Sequence, residues 1–275
     1  MTTQPRASPD RSGVAIGLTI VLALVTAALV PDIRLAVLVA LAVGAAVAKR
    51  GSALLWACAA GLPVALILAW GGAVGSQARS DLLDCANPLA PVALLRVAEA
   101  ISVCTVVLLL ARRLGVGLRS LGLRRPTRPE ALAGVLAIAV IPIASLSLGG
   151  ILAEPFFGPV RLHLAAPMAI IPALMLAVAN GTMEELSYRG ALMSWLGPTV
   201  GTRLALLTQA VVFGAAHTGT DYVASALPVM LVIAAGGLVA GLIVRRTGSL
   251  LLPIVVHICF DVPLFYAAVC RLPQG

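Results

Sequence analysis

The stretch 164–189, LAAPMAIIPALMLAVANGTMEELSYR, decides how the rest of the chain is read. Its apolar part is long enough to cross a bilayer core, which takes about 20 helical residues. It closes on Glu184-Glu185-Leu186-Ser187-Tyr188-Arg189. Two adjacent carboxylates at the end of such a run are costly to place in hydrocarbon. Ionisable residues inside a membrane therefore mark a functional site by default.

The remainder of the chain has the same character. Of 275 residues 60% are hydrophobic and 11% charged, where soluble domains carry about 25% charged residues. Mean hydropathy is +1.06. The expected fold class is all-α, a polytopic transmembrane helical bundle of about eight to nine spans. A membrane β-barrel would instead show short alternating segments. The apolar runs are 13–30, 35–48, 53–74, 92–110, 131–152, 164–188, 203–217, 226–244 and 250–269. The runs 35–48 and 203–217 are short for a span. The run 13–30 is long for a signal peptide and further spans follow it, so an uncleaved first helix is expected. Pro63, Pro142, Pro172 and Pro228 read as kinks within spans.

The net charge of +8 comes from short arginine-rich loops between apolar runs. That is the positive-inside pattern rather than a nucleic-acid footprint, and the partner it implies is the lipid bilayer. Arg112, Arg113, Arg119, Arg124, Arg125 and Arg128 crowd one loop, which makes it cytoplasmic. By alternation the N-terminus is then inside. The domain organisation follows: a polar tail over 1–12, N-terminal transmembrane helices over 13–110, a basic cytoplasmic linker over 111–130 and a core over 131–270. Cys58, Cys85, Cys104, Cys259 and Cys270 show no CxxC spacing, so a thiolate metal site is not expected. Cys85 and Cys270 fall on the outer side together, where a disulfide could join them. Arg96 and Glu99 read as a local pair near the outer surface.

All the polar residues with chemical potential lie in the core. Residues at i and i+4 share a helix face. Glu185 therefore pairs with Arg189, and Glu184, rotated by about 100°, is left as the free acid. Phe213 and His217 share the same spacing, as do His257 and Asp261. Each set has a bland reading: an interfacial charge cluster, an interfacial histidine, and a hydrogen-bonded pair that orients its helix. Their joint occurrence on three apolar helices favours polar stripes facing one cavity. Two chemistries fit. In one, Glu184 activates water, His217 orients it, and His257 with Asp261 stabilises an oxyanion. In the other, Glu184, His217, His257 and Asp261 hold a divalent metal such as zinc that activates the water. Helical rise puts Glu184 roughly 15–18 Å from a helix end near Trp195 and His257 about 10–12 Å from Ser249, whereas His217 computes deeper, roughly 20–25 Å from its helix start.

Glu184-Glu185-x-x-x-Arg189, Phe213-x-x-x-His217 and His257-x-x-x-Asp261 resemble, in order and spacing, the three motifs of the CAAX protease and bacteriocin-processing (Abi) family. The resemblance extends over roughly 131–269, and the turn Leu121-Gly122-Leu123-Arg124 is also similar. It implies an intramembrane endopeptidase acting on a peptide or membrane-protein substrate, with no cofactor required in the glutamate mechanism. It implies Glu184 as general base, His217 as its assistant, His257 and Asp261 as the oxyanion site, and Glu185 with Arg189 as a supporting pair. The family's third motif often ends in asparagine. Asp261 donates a hydrogen only when protonated; its alternative roles are to orient His257 or to bind a metal. A bacterial cytoplasmic membrane is the expected location.

No His-Glu-x-x-His, Gly-x-Ser-Gly or Gly-x-Gly-Asp occurs, which sets aside the zinc site-2, rhomboid and aspartyl types of intramembrane protease. Two non-hydrolytic readings stay open: a membrane scaffold or immunity protein, and a transporter or proton relay using the same polar residues. The first would tolerate Glu184→Gln; the second predicts solute flux in liposomes without peptide hydrolysis.

Overall fold

In the computed structural model, residues 10–81, 90–157, 170–218 and 226–268 are described. Each of the nine apolar runs is helical where described, and no strand occurs among the described residues. The helices are α1 (Arg11–Leu29), α2 (Arg34–Val47), α3 (Ala53–Asp81), α4 (Ala90–Leu114), α5 (Arg128–Phe157), α6 (Ile170–Glu185), α7 (Ser194–Val200), α8 (Thr202–Ala216), α9 (Ala226–Thr247) and α10 (Leu251–Ala268). A π-helical segment, Leu186–Met193, joins α6 to α7. Cys85 and Cys270 lie outside the described residues.

Among the described residues five helical stretches are long and apolar enough to cross a bilayer: Arg11–Leu29, Ala53–Gly71, Val92–Leu114, Arg128–Leu148 and Leu227–Thr247. Thr202–Ala216 and Leu251–Tyr266 are apolar but shorter. The chain is a helical membrane bundle. Leu22, Leu35, Val43, Leu132, Ile143 and Val232 are exposed, as expected of side chains whose solvent is lipid.

Local chemistry sets several helix ends. Asp10 accepts a 2.7 Å hydrogen bond from the Gly13 amide and caps α1. Arg34 donates to the carbonyls of Ala27 and Ala28 at the other end. Arg113 at the end of α4 donates to the carbonyls of Ala45, Ala46 and Ala48, closing α2. Each guanidinium supplies donors that a helix C-terminus lacks. Pro63 and Pro142 lie inside α3 and α5.

The centre of the bundle is the path 170–200 formed by α6, the π segment and α7. α1 and α3 pack on α7, α3 and α4 on the π segment, α4 along α6, and α8 against α7 and the π segment. Tyr188, Leu192, Trp195 and Leu196 are buried there. α10 packs between α5 and α6, and α9 packs on α8.

The segment after α4 is folded into this core. Leu121 is buried, and the Gly122 carbonyl accepts a 3.0 Å hydrogen bond from the Leu250 amide. Arg124 pairs with Glu130 and donates to the Thr247 carbonyl. Ser249 and Leu250 are themselves fully buried, so α10 starts inside the bundle rather than at its face.

Candidate active site

Two glycines bring the polar residues together. Gly181 lets α6 and α10 approach: a Cβ there would lie 3.1 Å from Ile258 Cγ1 and 3.4 Å from His257 Cβ. This sets His257 beside Glu184 and Glu185. Gly201, with φ of +86°, turns α7 directly into α8. The two then run back along each other, so His217 at the end of α8 returns to the level of Glu184.

The depth mismatch of the sequence reading disappears for that reason. The helical path does not end near Trp195 but at Val200. Glu184 is then about 24 Å from its end by α-helical rise, and His217 about 22 Å from the start of α8. His257 matches them despite a shorter run because α10 begins deep.

Glu184 is buried, and its Oε2 has no hydrogen-bond partner. That oxygen lies 3.7 Å from His257 Nε2 and 4.0 Å from His217 Nε2. His217 Nδ1 donates to the Phe213 carbonyl at 2.8 Å, and His257 Nδ1 donates to Glu185 Oε1 at 3.0 Å. Both imidazoles are thus held from behind and present Nε2 to Glu184. His257 Nε2 also lies 3.5 Å from Asp261 Oδ2.

Glu185 and Arg189 form the expected pair, at 2.9 Å, with side chains 2% and 1% exposed. The same Glu185 oxygen receives His257, so the pair orients a site histidine as well as neutralising a charge. The Arg189 guanidinium lies 4.2 Å from the centroid of the Phe213 ring. Phe213 meets His217 edge-to-face at 4.7 Å and Tyr188 at 4.9 Å. Phe213 therefore supports both halves of the site. The π segment that carries Arg189 gives a wider turn, and π-helical turns concentrate at functional sites. Ser194 Oγ donates to the Arg189 carbonyl at its far end.

One residue escaped the sequence reading. Asn180 Nδ2 donates to Asp261 Oδ2 at 2.8 Å, both residues being buried. Asn180 lies four residues before Glu184 in α6, and that i, i+4 spacing was the available signal. Glu99 of α4 is fully buried, and its expected pair with Arg96 is formed at 2.7 Å.

The metal expectation meets a mixed arrangement. Imidazoles held through Nδ1 with Nε2 presented are what a metal site uses. Among the described residues, however, no group of three or more His, Cys, Asp or Glu side chains could hold an ion.

Comparison with known proteins agrees with the motifs. Residues 166–263 match the family described as type II CAAX prenyl endopeptidase Rce1-like. This is about a third of the chain, shorter than the resemblance over 131–269, and it runs from just before α6 to just past Asp261. No curated protein and no solved structure matches the chain. The segment that carries Glu184, His217, His257 and Asp261 is thus similar to the Rce1-like type II CAAX prenyl endopeptidases, a family of proteases, and is set here in a helical membrane bundle.

Proposed function

We propose that the protein is an intramembrane endopeptidase in which Glu184 activates a water for attack on a peptide carbonyl. The observation that carries this reading is Glu184 Oε2, buried without a hydrogen-bond partner and facing two histidine Nε2 atoms at 3.7 and 4.0 Å. A water can bridge groups at such separations. Glu184 takes its proton as the oxygen attacks, and returns it to the leaving amine. His217, fixed through the Phe213 carbonyl, orients the water.

Stabilisation of the oxyanion is assigned to the Nε2–H of a doubly protonated His257, whose Nδ1–H is held by Glu185, and to the second amide hydrogen of Asn180. Asp261 accepts from Asn180, so its role in this reading is to orient Asn180 and His257 rather than to donate. Preorganised donors of this kind are worth about 10²–10³ in rate each. Glu185 and Arg189 hold His257 from behind.

The substrate class is a peptide or membrane-protein segment, and the family name points to prenylated C-terminal tails. Basic loops support an N-terminus on the cytoplasmic side. The test uses purified protein in detergent and an internally quenched peptide ending in farnesylated Cys-aliphatic-aliphatic-X, beside its unprenylated twin. Cleavage by the parent and none by Glu184→Gln, with parental yield and unfolding temperature, is the expected result. Cleavage retained in Glu184→Gln would reject the mechanism. Preference between the two peptides decides whether prenyl recognition applies.

A further inference from the structure

We propose that the site is reached from the extracytoplasmic half of the bilayer, so that its substrate is a peptide segment presented at that face and not a tail tethered in the cytoplasmic half. The inference rests on the endopeptidase reading for the substrate but not for the side of access.

Exposed cations fix one level of the bundle. A Cβ on Gly13 would meet Ala53 Cβ and the Thr199 carbonyl oxygen, each at 3.6 Å, and one on Gly17 would overlap Val200. The start of α1, the start of α3 and the end of α7 therefore share a level. The start of α8 joins them, because Gly201 turns α7 directly into α8. Arg11, Lys49, Arg50 and Arg203 fall at this level, and all are exposed. Cations gathered at one end of a helical bundle mark its cytoplasmic interface.

Two helices measure the depth of the site from that interface. His217 follows Thr202, the first residue of α8, by about 22 Å of helical rise. α9 agrees. A Cβ on Gly214, one turn before His217, would lie 2.5 Å from the Met230 carbonyl oxygen. Met230 is again about 22 Å along its helix from Arg245 at the cationic end. The hydrocarbon core is about 30 Å thick, so the histidine stands in the half remote from the cations.

Packing closes the near side. Leu192, Trp195 and Leu196 fill the central path between Glu184 and the cationic level, and Leu121, Ser249 and Leu250 enter beneath it from two loops; all six are buried. A Cβ on Gly190 would lie 3.1 Å from Leu250 Cδ1 and 3.5 Å from the Leu121 carbonyl oxygen, which leaves no room for a peptide beside the π segment. Exposure follows the same direction. Arg189 stands one turn nearer the cations than Glu185, and both side chains are shut in. His257 and His217, which face Glu184 from α10 and α8, are 15% and 19% exposed. The sealed end of the site is thus its cytoplasmic end, and the accessible part is the histidine pair, with His217 at the far end of α8. A peptide in the cytoplasmic half meets the packed path before Glu184. One in the other half meets the two histidines.

The experiment compares spheroplasts with inverted membrane vesicles of a bacterial expression host, which present opposite membrane faces. His217→Cys and His257→Cys each add a thiol to the five cysteines of the parent, and Arg246→Cys adds one at the cationic face. A small membrane-impermeant methanethiosulfonate is applied, and label gained over the parent is measured. The two site variants should gain label in spheroplasts only, and Arg246→Cys in inverted vesicles only. Either site variant suffices where the other fails to insert. Label gained at the site from the inverted-vesicle side, or from neither side, overturns the side of access. Label gained by Arg246→Cys in spheroplasts overturns the extracytoplasmic assignment. In the activity arm, the unprenylated quenched peptide is added outside. Spheroplasts carrying the parent should cleave it, whereas those carrying Glu184→Gln, and inverted vesicles, should not. Cleavage confined to inverted vesicles overturns the proposal. If the thiols label as expected and the parent cleaves neither peptide in any preparation, the endopeptidase reading is what fails, and the side of access stands.

Discussion

Arg189→Met is the most informative single change. Arg189 is 1% exposed and its partner Glu185 2%, so the substitution leaves a carboxylate in the bundle interior with only His257 as donor. Removing one partner of a buried ion pair costs about 3–5 kcal/mol. The guanidinium is also lost from the Phe213 face, where a desolvated cation–π contact contributes about 2 kcal/mol. The two losses share one side chain and do not add fully. His257 still donates to Glu185, which offsets part of the first. About 4 kcal/mol is expected, or a fall of about 8–16 °C at about 2–4 °C per kcal/mol. Arg189→Lys keeps the charge and loses the planar fork and stacking, so about half the cost should remain. Glu185→Gln/Arg189→Met removes both charges and should lie within about 2 kcal/mol of the parent. The assay is thermal unfolding in detergent, paired with cleavage of the farnesyl peptide. Cleavage should fall in all three variants, because His257 loses the acceptor, or the geometry of the acceptor, that orients it. An Arg189→Met protein no less stable than the double variant would refute the claim that Arg189 balances a buried charge.

Asn180→Leu removes the donor to Asp261, which should cost about 1–3 kcal/mol in stability and about 10²-fold in cleavage rate; parental cleavage would remove Asn180 from the site. Gly214→Ala would put a Cβ 2.5 Å from the Met230 carbonyl oxygen and 2.9 Å from Ala234 Cβ. The obstacle is backbone, so α8 and α9 must separate at a cost of about 3 kcal/mol, seen as a lower unfolding temperature; an unchanged value would contradict the observed helix contact. Cleavage should persist after treatment with a chelator and dialysis. Loss restored by added zinc would transfer activation of the water from Glu184 to a metal.

What could be read from the sequence was the set of contacts within one helix. Glu185–Arg189, Phe213–His217 and His257–Asp261 were all marked by i, i+4 spacing, and each is formed. Helix class was equally legible, because uninterrupted apolar runs have few other ways to satisfy their backbone in lipid. The end of the central path was not. Gly197-Pro198 reads as a stop, yet the helix continues to Val200 with Pro198 inside it. Trp195, Leu196, Thr199 and Val200 are buried there, and packing on α1 and α3 outweighs the local signal. Nothing local marks the buried start of α10 either, since it depends on a loop more than a hundred residues earlier.

The contacts that turn three motifs into a site are long-range. Glu185 to His257 spans 72 residues and Asn180 to Asp261 spans 81. Both depend on the register between α6 and α10, set by the close approach at Gly181. A shift of one helical turn, about 5.4 Å, would keep every motif intact and separate His257 from Glu184. The i, i+4 pairs explain why each polar residue tolerates its own helix, whereas register explains why they meet.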